Sequence, residues 1–433
     1  MAKIVIIGAG SGFGIRLSAD ILAYPELREG TIALVDINRE KLDKVTRYVE
    51  HIVQDHGLPT KIVGAENRRE VLEGAEFVVV AISVGGPAYN GVPYYWEIEI
   101  PKRYGVSQQV GDTVGPGGVF RALRTGPEML AICRDMEELC PDALMLNYTN
   151  PMAMLTWLMS EATKVNVVGL CHSVQGTARR LAEYIGADPA SVSHWVAGIN
   201  HMAWFLEFRV DGQDAYPRLW QAMEDPEIYA KDPVRFEIMR HFDYFVTEST
   251  RHMSEYVPYF RKRPELLEHF GLQHREPEKH GGSKRWEWMD EKLRRQVSGE
   301  ERIELKQSHE YAAHIIHAKV TGARYRFNGN VRNWGLITNL PEGCCVEVPC
   351  LVDETGVHPC HVGELPPQLA ALNRANIAVQ ELAVRAVLEA DPRKAFYAVM
   401  LDPLTAAVCT PGEVRKMFDE LFAAEGELLE YLK

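Results

Sequence analysis

Lys3-Ile-Val-Ile-Ile-Gly-Ala-Gly-Ser-Gly-Phe-Gly14 is an apolar run that breaks into glycines. Ile15, Ala19 and Leu22 then recur at helical spacing, so the stretch predicts a strand, a tight turn and a helix. Glycines let such a turn bring backbone amides close to a pyrophosphate, which is held at the start of the helix. The spacing departs from strict G-x-G-x-x-G: after Gly8 and Gly10 come Gly12 and Gly14, with Phe13 in the usual third place. Further on, Thr31-Ile-Ala-Leu-Val-Asp-Ile-Asn38 predicts a second strand closing on Asp36. A carboxylate there accepts from both hydroxyls of an adenosine ribose and repels a 2′-phosphate, favouring NAD over NADP. Gly8, Gly10, Ser11, Gly12, Phe13 and Asp36 are the candidate dinucleotide contacts; a bare strand-turn-helix is the competing reading.

The alternation of strand and helix continues. Leu42, Val45, Val49 and Ile52 have helical spacing; Phe77-Val-Val-Val-Ala-Ile-Ser83 is a strand ending near Gly85-Gly86; Met129, Ile132, Met136 and Leu139 mark another helix. Strands at 143–147 and 165–170 complete the set. Short, strongly apolar strands alternating with helices predict an α/β fold with a Rossmann-like, doubly wound parallel sheet. Ligands of such sheets bind at the carboxyl ends of the strands. That directs attention to Ser83, to Asn147-Tyr-Thr-Asn-Pro151 and to Cys171-His-Ser173.

Bulk composition narrows the alternatives. A chain of 433 residues, 46% apolar and 25% charged, is long enough for two domains of an ordinary globular protein. The expected division is 1–195 for dinucleotide binding and 196–433 for a mixed α+β substrate and oligomerisation domain. A net charge of −13 argues against nucleic acid or an anionic membrane as partner. No apolar run is long enough to span a bilayer, and the opening strand is too short for a signal peptide. Eight cysteines without paired C-x2-C spacing suggest neither a disulfide scaffold nor a structural zinc site, so a cytoplasmic location is expected.

Several loops carry chemistry. Gln109-Val-Gly-Asp-Thr-Val-Gly-Pro-Gly-Gly118 reads as a second glycine-rich loop, ahead of a helix with Arg121 and Arg124. Its Asp112 is either a local backbone acceptor or a reacting group. Asn150, held out of helix by Pro151, can turn its amide to a ligand or cap the next helix. A strand delivers Cys171 and His172 to a helix start, and Gly198-Ile-Asn-His201 supplies an imidazole. Cys171 and His201 make a metal pair only if the fold joins them; otherwise His201 is an ordinary core histidine. Arg251-His-Met-Ser-Glu-Tyr-Val-Pro-Tyr-Phe260 gathers His252, Glu255, Tyr256 and Tyr259 in a segment broken by proline.

Taken together and in order, Gly-Ala-Gly-Ser-Gly, Gly-Asp-Thr-x-Gly-Pro-Gly-Gly, Asn-Tyr-Thr-Asn-Pro, Cys-His-Ser-Val, Gly-x-Asn-His and His-x-Ser-Glu-Tyr resemble glycoside hydrolase family 4. Asn339-Leu-Pro-Glu342 resembles a late element of that family. The resemblance implies NAD and a divalent metal, usually Mn2+, used for hydrolysis rather than net oxidation. It implies hydride removal from sugar C3, proton removal from C2, elimination of the leaving group, addition of water and return of the hydride. By resemblance Cys171 and His201 ligate the metal, Asp112 is the leaving-group acid and Tyr256 the C2 base. Asn150 contacts substrate and cofactor, Ser83 lies by the cofactor, and His172 and Ser173 border the sugar.

The residues after Cys171 bear on the substrate. Branches acting on phosphorylated sugars show Cys-Asn or Cys-Asp followed by x-Pro, whereas Cys-His-Ser-Val resembles the α-galactosidase branch. Cys-His-Gly resembles α-glucosidases or α-glucuronidases, and Cys-His-Glu α-galacturonidases. A small non-phosphorylated α-galactoside is the expected partner, and similar proteins form homo-oligomers, dimers or tetramers. The rival from another class is an NAD-dependent 2-hydroxy-acid dehydrogenase, with Arg121 or Arg124 as carboxylate clamp and His201 as base. Past about residue 195, strands at 205–210 and 345–351 mix with a long helix at 368–390, and 276–286 reads as a mobile loop.

Overall fold

The computed structural model describes residues 2–85, 92–273, 291–292, 294–296, 298, 300–301 and 303–433. Gly86 and the loop expected at 276–286 lie outside them. The first six strands are β1 (Lys3–Ile7), β2 (Thr31–Val35), β3 (Lys61–Ala65), β4 (Phe77–Val80), β5 (Leu144–Asn147) and β6 (Asn166–Gly169). They lie parallel in the order β3-β2-β1-β4-β5-β6, the order of a Rossmann sheet. The inner strands are apolar at nearly every position because helices cover both faces; Ile4, Val5, Ile6 and Val78 to Val80 are buried. β3 has the pattern Lys-Ile-Val-Gly-Ala, largely outside the core. That edge strand gave no apolar run, and periodicity missed it.

The sheet does not stop at β6. It continues as β10 (Tyr325–Arg332), β11 (Cys345–Asp353), β7 (Val192–Ile199), β8 (Met202–Val210) and β9 (Gln213–Asp214), all paired antiparallel, with β12 (Gly356–Pro359) on β11. The junctions are narrow. Asn330 pairs with Gly169, and Glu347 pairs with Asn330 on one side and Gly198 on the other. Gly169, Asn330, Glu347 and Gly198 therefore form one row across the sheet, two residues before Cys171 and three before His201.

One continuous core runs from Ile4 on β1 to Leu429 near the carboxyl terminus. A smaller core of Val174, Leu181, Val196, Phe205, Phe208, Phe236 and Phe245 fills the space beside the β7–β8 hairpin. The helix Pro367–Glu389 braces that hairpin: Trp204 Nε1 donates to Asn373 Oδ1 at 2.9 Å, and Asn373 Nδ2 donates to the Met202 carbonyl at 2.8 Å. Among the described residues no helix is long and apolar enough to cross a membrane.

Candidate active site

The glycine turn after β1 is built for close approach. Gly8 has φ +86, and a Cβ there would lie 2.3 Å from the Ala81 carbonyl oxygen. At Gly10 a Cβ would lie 2.6 Å from Asp36 Oδ2. The third glycine's work falls to Gly14, whose added Cβ would sit 2.1 Å from the Ala9 carbonyl oxygen, rather than to position 13. Phe13 instead packs on Tyr148, ring centroids 5.1 Å apart. Ser11 precedes the helix Gly12–Leu22 without capping it, and its buried hydroxyl has no hydrogen-bond partner among the described residues. Just past β2, Asp36 accepts from the amides of Gly10 and Asn38, both at 2.8 Å. A carboxylate fixed at the carboxyl end of β2, beside glycine amides and an orphaned hydroxyl, suits a dinucleotide's ribose and pyrophosphate.

The next loops come from β4, β5 and β6. Ser83 accepts from Arg121 Nη2 at 3.2 Å. Asn150 does not cap the helix Met152–Ala162, where Pro151 occupies the cap position; its Nδ2 donates to Asp112 Oδ2 at 3.3 Å. The supposed glycine loop after Asp112 is shorter than expected, because Gly115 to Gly118 already belong to the helix Gly115–Leu139. Those glycines serve helix packing: a Cβ on Gly117 would lie 2.6 Å from the Gly111 carbonyl oxygen. Arg124 is buried and forked on Glu97, Nε to Oε1 at 2.6 Å and Nη2 to Oε2 at 3.1 Å, so it is not poised to clamp a substrate carboxylate.

Long-range folding joins what sequence spacing could not. Cys171, His201 and Glu248 each offer a ligand atom, and these atoms lie within 4.8 Å of one another. His201 sits in the two-residue turn between β7 and β8 with φ 62, and Glu248 has φ 73. Left-handed backbone at a non-glycine residue costs on the order of 1–3 kcal/mol and persists only where packing enforces it. Glu248 Oε2 stands 4.0 Å from His201 Nε2, and its Oε1 3.3 Å from His252 Nδ1. His201 Nδ1 is buried without a hydrogen-bond partner among the described residues.

Electrostatics follow from that crowding. Burial, reinforced by the Glu248 and Glu347 carboxylates, pushes the Cys171 thiol well above its usual range, with the Ser173 hydroxyl and amide opposing. Burial also works against the Glu248 carboxylate, but His201 and His252 outweigh it and hold its pKa below the ordinary value. Behind the cluster Glu347 is fully buried, and burial raises its carboxyl to about 7 against the pull of His201 and Asn200. A thiol, an imidazole and a carboxylate converging in this way are a donor set for a divalent cation.

Tyr256, at the end of the helix Thr250–Tyr256, is buried with its ring centroid 6.4 Å from that of His201. Burial pushes its phenol well above the usual value; the Thr113 hydroxyl opposes, and the charges of Asp112 and Glu248 add. Asp112, Asn150, Tyr256, Cys171 and His201 are thus gathered in one region. Ser173 is buried against Cys171, whereas His172 is largely exposed, its Nδ1 3.9 Å from Glu310 Oε1. Glu248 and Glu347 escaped the sequence reading. The one signal for Glu248 was its placement four residues before His252, on a stretch whose turn only the fold reveals.

The pattern described as family 4 glycosyl hydrolase matches residues 3–187, and that of the family 4 glycosyl hydrolase C-terminal domain matches 196–405. The chain belongs to family 4 of the glycosyl hydrolases. It is 41% identical to an α-galactosidase of Bacillus subtilis (strain 168), covering 100% of both chains. It is 37% identical to an α-galactosidase of Rhizobium meliloti (strain 1021), covering 99% of this chain and 89% of that one. The crystal structure of a 6-phospho-α-glucosidase from gut microorganisms in complex with NAD and Mn2+ superposes with a TM-score of 0.83 at 19% identity, covering 99% and 98% of the two chains, and shares its fold.

Proposed function

We propose that the chain is an NAD- and Mn2+-dependent α-galactosidase acting on non-phosphorylated α-galactosides. The observation that carries the reading is the Cys171–His201–Glu248 donor cluster, set on the sheet that also carries the dinucleotide cradle. A hydrolase needs both only if oxidation is a means rather than the outcome. The galactosidase relatives supply the sugar. Gly8, Gly10, Ser11, Gly12, Phe13, Asp36, Ser83 and Asn150 are the proposed NAD contacts. Cys171 and His201, joined by Glu248, would hold the metal. A thiolate and an imidazole alone suit zinc; the carboxylate oxygen and the room for sugar oxygens shift the balance to Mn2+.

When bound, NAD+ supplies a hydride acceptor for sugar C3, and the metal polarises the C2 and C3 oxygens so that the C2 proton becomes acidic. The protein's own groups do the rest. Tyr256 takes the C2 proton, which requires its phenolate despite burial; a nearby cation favours that form. Asp112 delivers a proton to the departing glycosidic oxygen, with Asn150 fixing the carboxyl by its amide. Ser173 and His172 border the sugar. The deciding experiment is turnover of 4-nitrophenyl α-galactoside with and without NAD+ and with a chelator: activity should vanish when either is stripped. In D2O the galactose released should carry deuterium at C2, and product fully protonated at C2 would rule out the elimination route.

The family patterns break between 187 and 196, which supports a functional division near residue 195 within the continuous sheet. We further propose a cytoplasmic location, which suits eight free cysteines. Copies of the chain are proposed to assemble as dimers or tetramers; Tyr397 and Leu401 on the helix Pro392–Leu401 are exposed apolar residues available for that contact, and solution scattering would give the oligomer's mass.

A further inference from the structure

Glu255 immediately precedes Tyr256 on the helix Thr250–Tyr256 and is 1% exposed. Its carboxylate meets the loop ahead of Asp112. Its Oε1 accepts from the amides of Gln109 at 2.6 Å and Val110 at 2.8 Å, and its Oε2 from the amide of Gly111 at 3.1 Å and from Gln108 Nε2 at 3.4 Å. Three consecutive backbone N–H groups thus converge on one buried carboxylate, and the residue that follows them is Asp112. Arg261 locks the arrangement from behind. Its Nη2 lies 4.0 Å from Glu255 Oε1 and donates to Gln109 Oε1 at 3.3 Å, while its Nη1 donates to the Ser107 carbonyl at 3.1 Å. The loop backbone packs closely on Ile98: Gly111 has φ +59, and a Cβ there would lie 2.1 Å from Ile98 Cδ1.

We infer that Glu255 is the positioning residue for the acid: its carboxylate, gathering the amides of residues 109–111, fixes Asp112 against the leaving-group oxygen and ties it rigidly to Tyr256, so that acid and base move as one unit. The inference rests on Asp112 being the leaving-group acid. A run of amides aimed at an anion is a strong and directional anchor, because each hydrogen bond is charge-assisted. A catalytic group must be held within a fraction of an ångström to stay effective. The two adjacent side chains face different tasks from one short helix. Tyr256 lies by the proton to be removed, and Glu255 grips the backbone that carries the proton to be given.

The test uses two substrates. A disaccharide α-galactoside expels a poor leaving group and depends on the acid, whereas 4-nitrophenyl α-galactoside expels a good one and depends on it far less. In Glu255→Gln one acceptor oxygen is replaced by an NH2 that opposes the amides it faces. The nitrophenyl-to-disaccharide turnover ratio should then rise at least about tenfold over wild type, a fraction of the roughly 10²–10⁴ that an acid contributes. Glu255→Asp, which keeps the charge but shortens the reach, should give the same shift in smaller measure and serves if the glutamine variant does not fold. NAD affinity and Mn2+ affinity, which a general loss of structure would lower, should stay within about threefold. Asp112→Asn is the control and should raise the ratio further. If it does and the Glu255 variants slow both substrates equally, Glu255 is a scaffold residue and the inference is overturned. If Asp112→Asn leaves the ratio unchanged, the acid assignment itself falls and takes the inference with it.

Discussion

The nucleotide cradle and the metal-capable cluster are built by opposite means. In the cradle, Gly8, Gly10, Ser11 and Gly12 lie within five consecutive residues, and Asp36 comes one strand later, just past the neighbouring β2. In the cluster, Cys171 follows the last parallel strand, His201 tips an antiparallel hairpin, and Glu248 sits in an irregular stretch beyond it. The cradle is local chemistry repeated by backbone; the cluster exists only as tertiary structure. It follows that the two should be separable by mutation, with the cluster the more sensitive.

The sharpest break is Cys171→Ala. It should abolish metal-dependent turnover while NAD affinity measured by calorimetry stays within about threefold, since β4 and β5 lie between the strands of the cradle and β6, which Cys171 follows. An equal loss of NAD binding would show that the two sites are one. Glu248→Gln removes a charged oxygen donor and should weaken Mn2+ binding by about 10–100-fold, the range for losing a close partner of a metal site. Unchanged Mn2+ affinity would leave the metal to Cys171 and His201 alone. On the other side, Asp36→Ala deletes the acceptor for the Gly10 and Asn38 amides, which is also the proposed acceptor for the ribose. It should weaken NAD by on the order of tenfold or more, from about 1.5–3 kcal/mol of charged hydrogen bonding. Mn2+ affinity should not move, and discrimination against NADP should narrow.

The smallest effect concerns how the far carboxyl terminus returns to the cradle. The helix Pro411–Glu425 ends with Glu425 buried beside Glu97 and Arg124, and Arg124 Nη1 in turn donates to the Val84 carbonyl next to Ser83. Burial and the Glu97 carboxylate push the Glu425 carboxyl up to about 8, with Arg124 opposing. The folded chain thus holds a proton that the unfolded chain releases above the ordinary glutamate pKa of about 4.3, so stability should fall as pH rises from there through 8. Glu425→Gln has an NH2 for Glu97 and no proton to lose. Its Tm advantage over wild type should widen between pH 5 and pH 9, and parallel curves would contradict the protonated state.

The same contrast sets what could be read before folding. The parallel half was legible because period, glycine turns and strand-end acid all act within one βαβ unit. Even there β3 was lost, since an edge strand with Lys61 and Gly64 carries no apolar signature, and the third glycine's task had moved from position 13 to Gly14. Cys171, His201, Asp112 and Tyr256 were legible as reactive groups, and only the family resemblance gave them a shared purpose. Glu248 and Glu347 were illegible for a physical reason. A carboxylate's significance here depends on desolvation and on which charges face it, and both are set by chain distant in sequence: Glu347 pairs with Gly198, and Glu248 faces His201.

The row Gly169, Asn330, Glu347, Gly198 has a consequence for how the chain comes to life on the ribosome. β10 and β11 stand between β6 and β7, yet they are made after both, from residues 325–353. The hairpin bearing His201 therefore has no seat beside Cys171 until β10 and β11, which follow it by more than 100 residues, stand between them. The metal-capable cluster is thus the later of the two sites to be completed as the chain is made, since the cradle residues end at Asp36 whereas the cluster waits on residues 325–353.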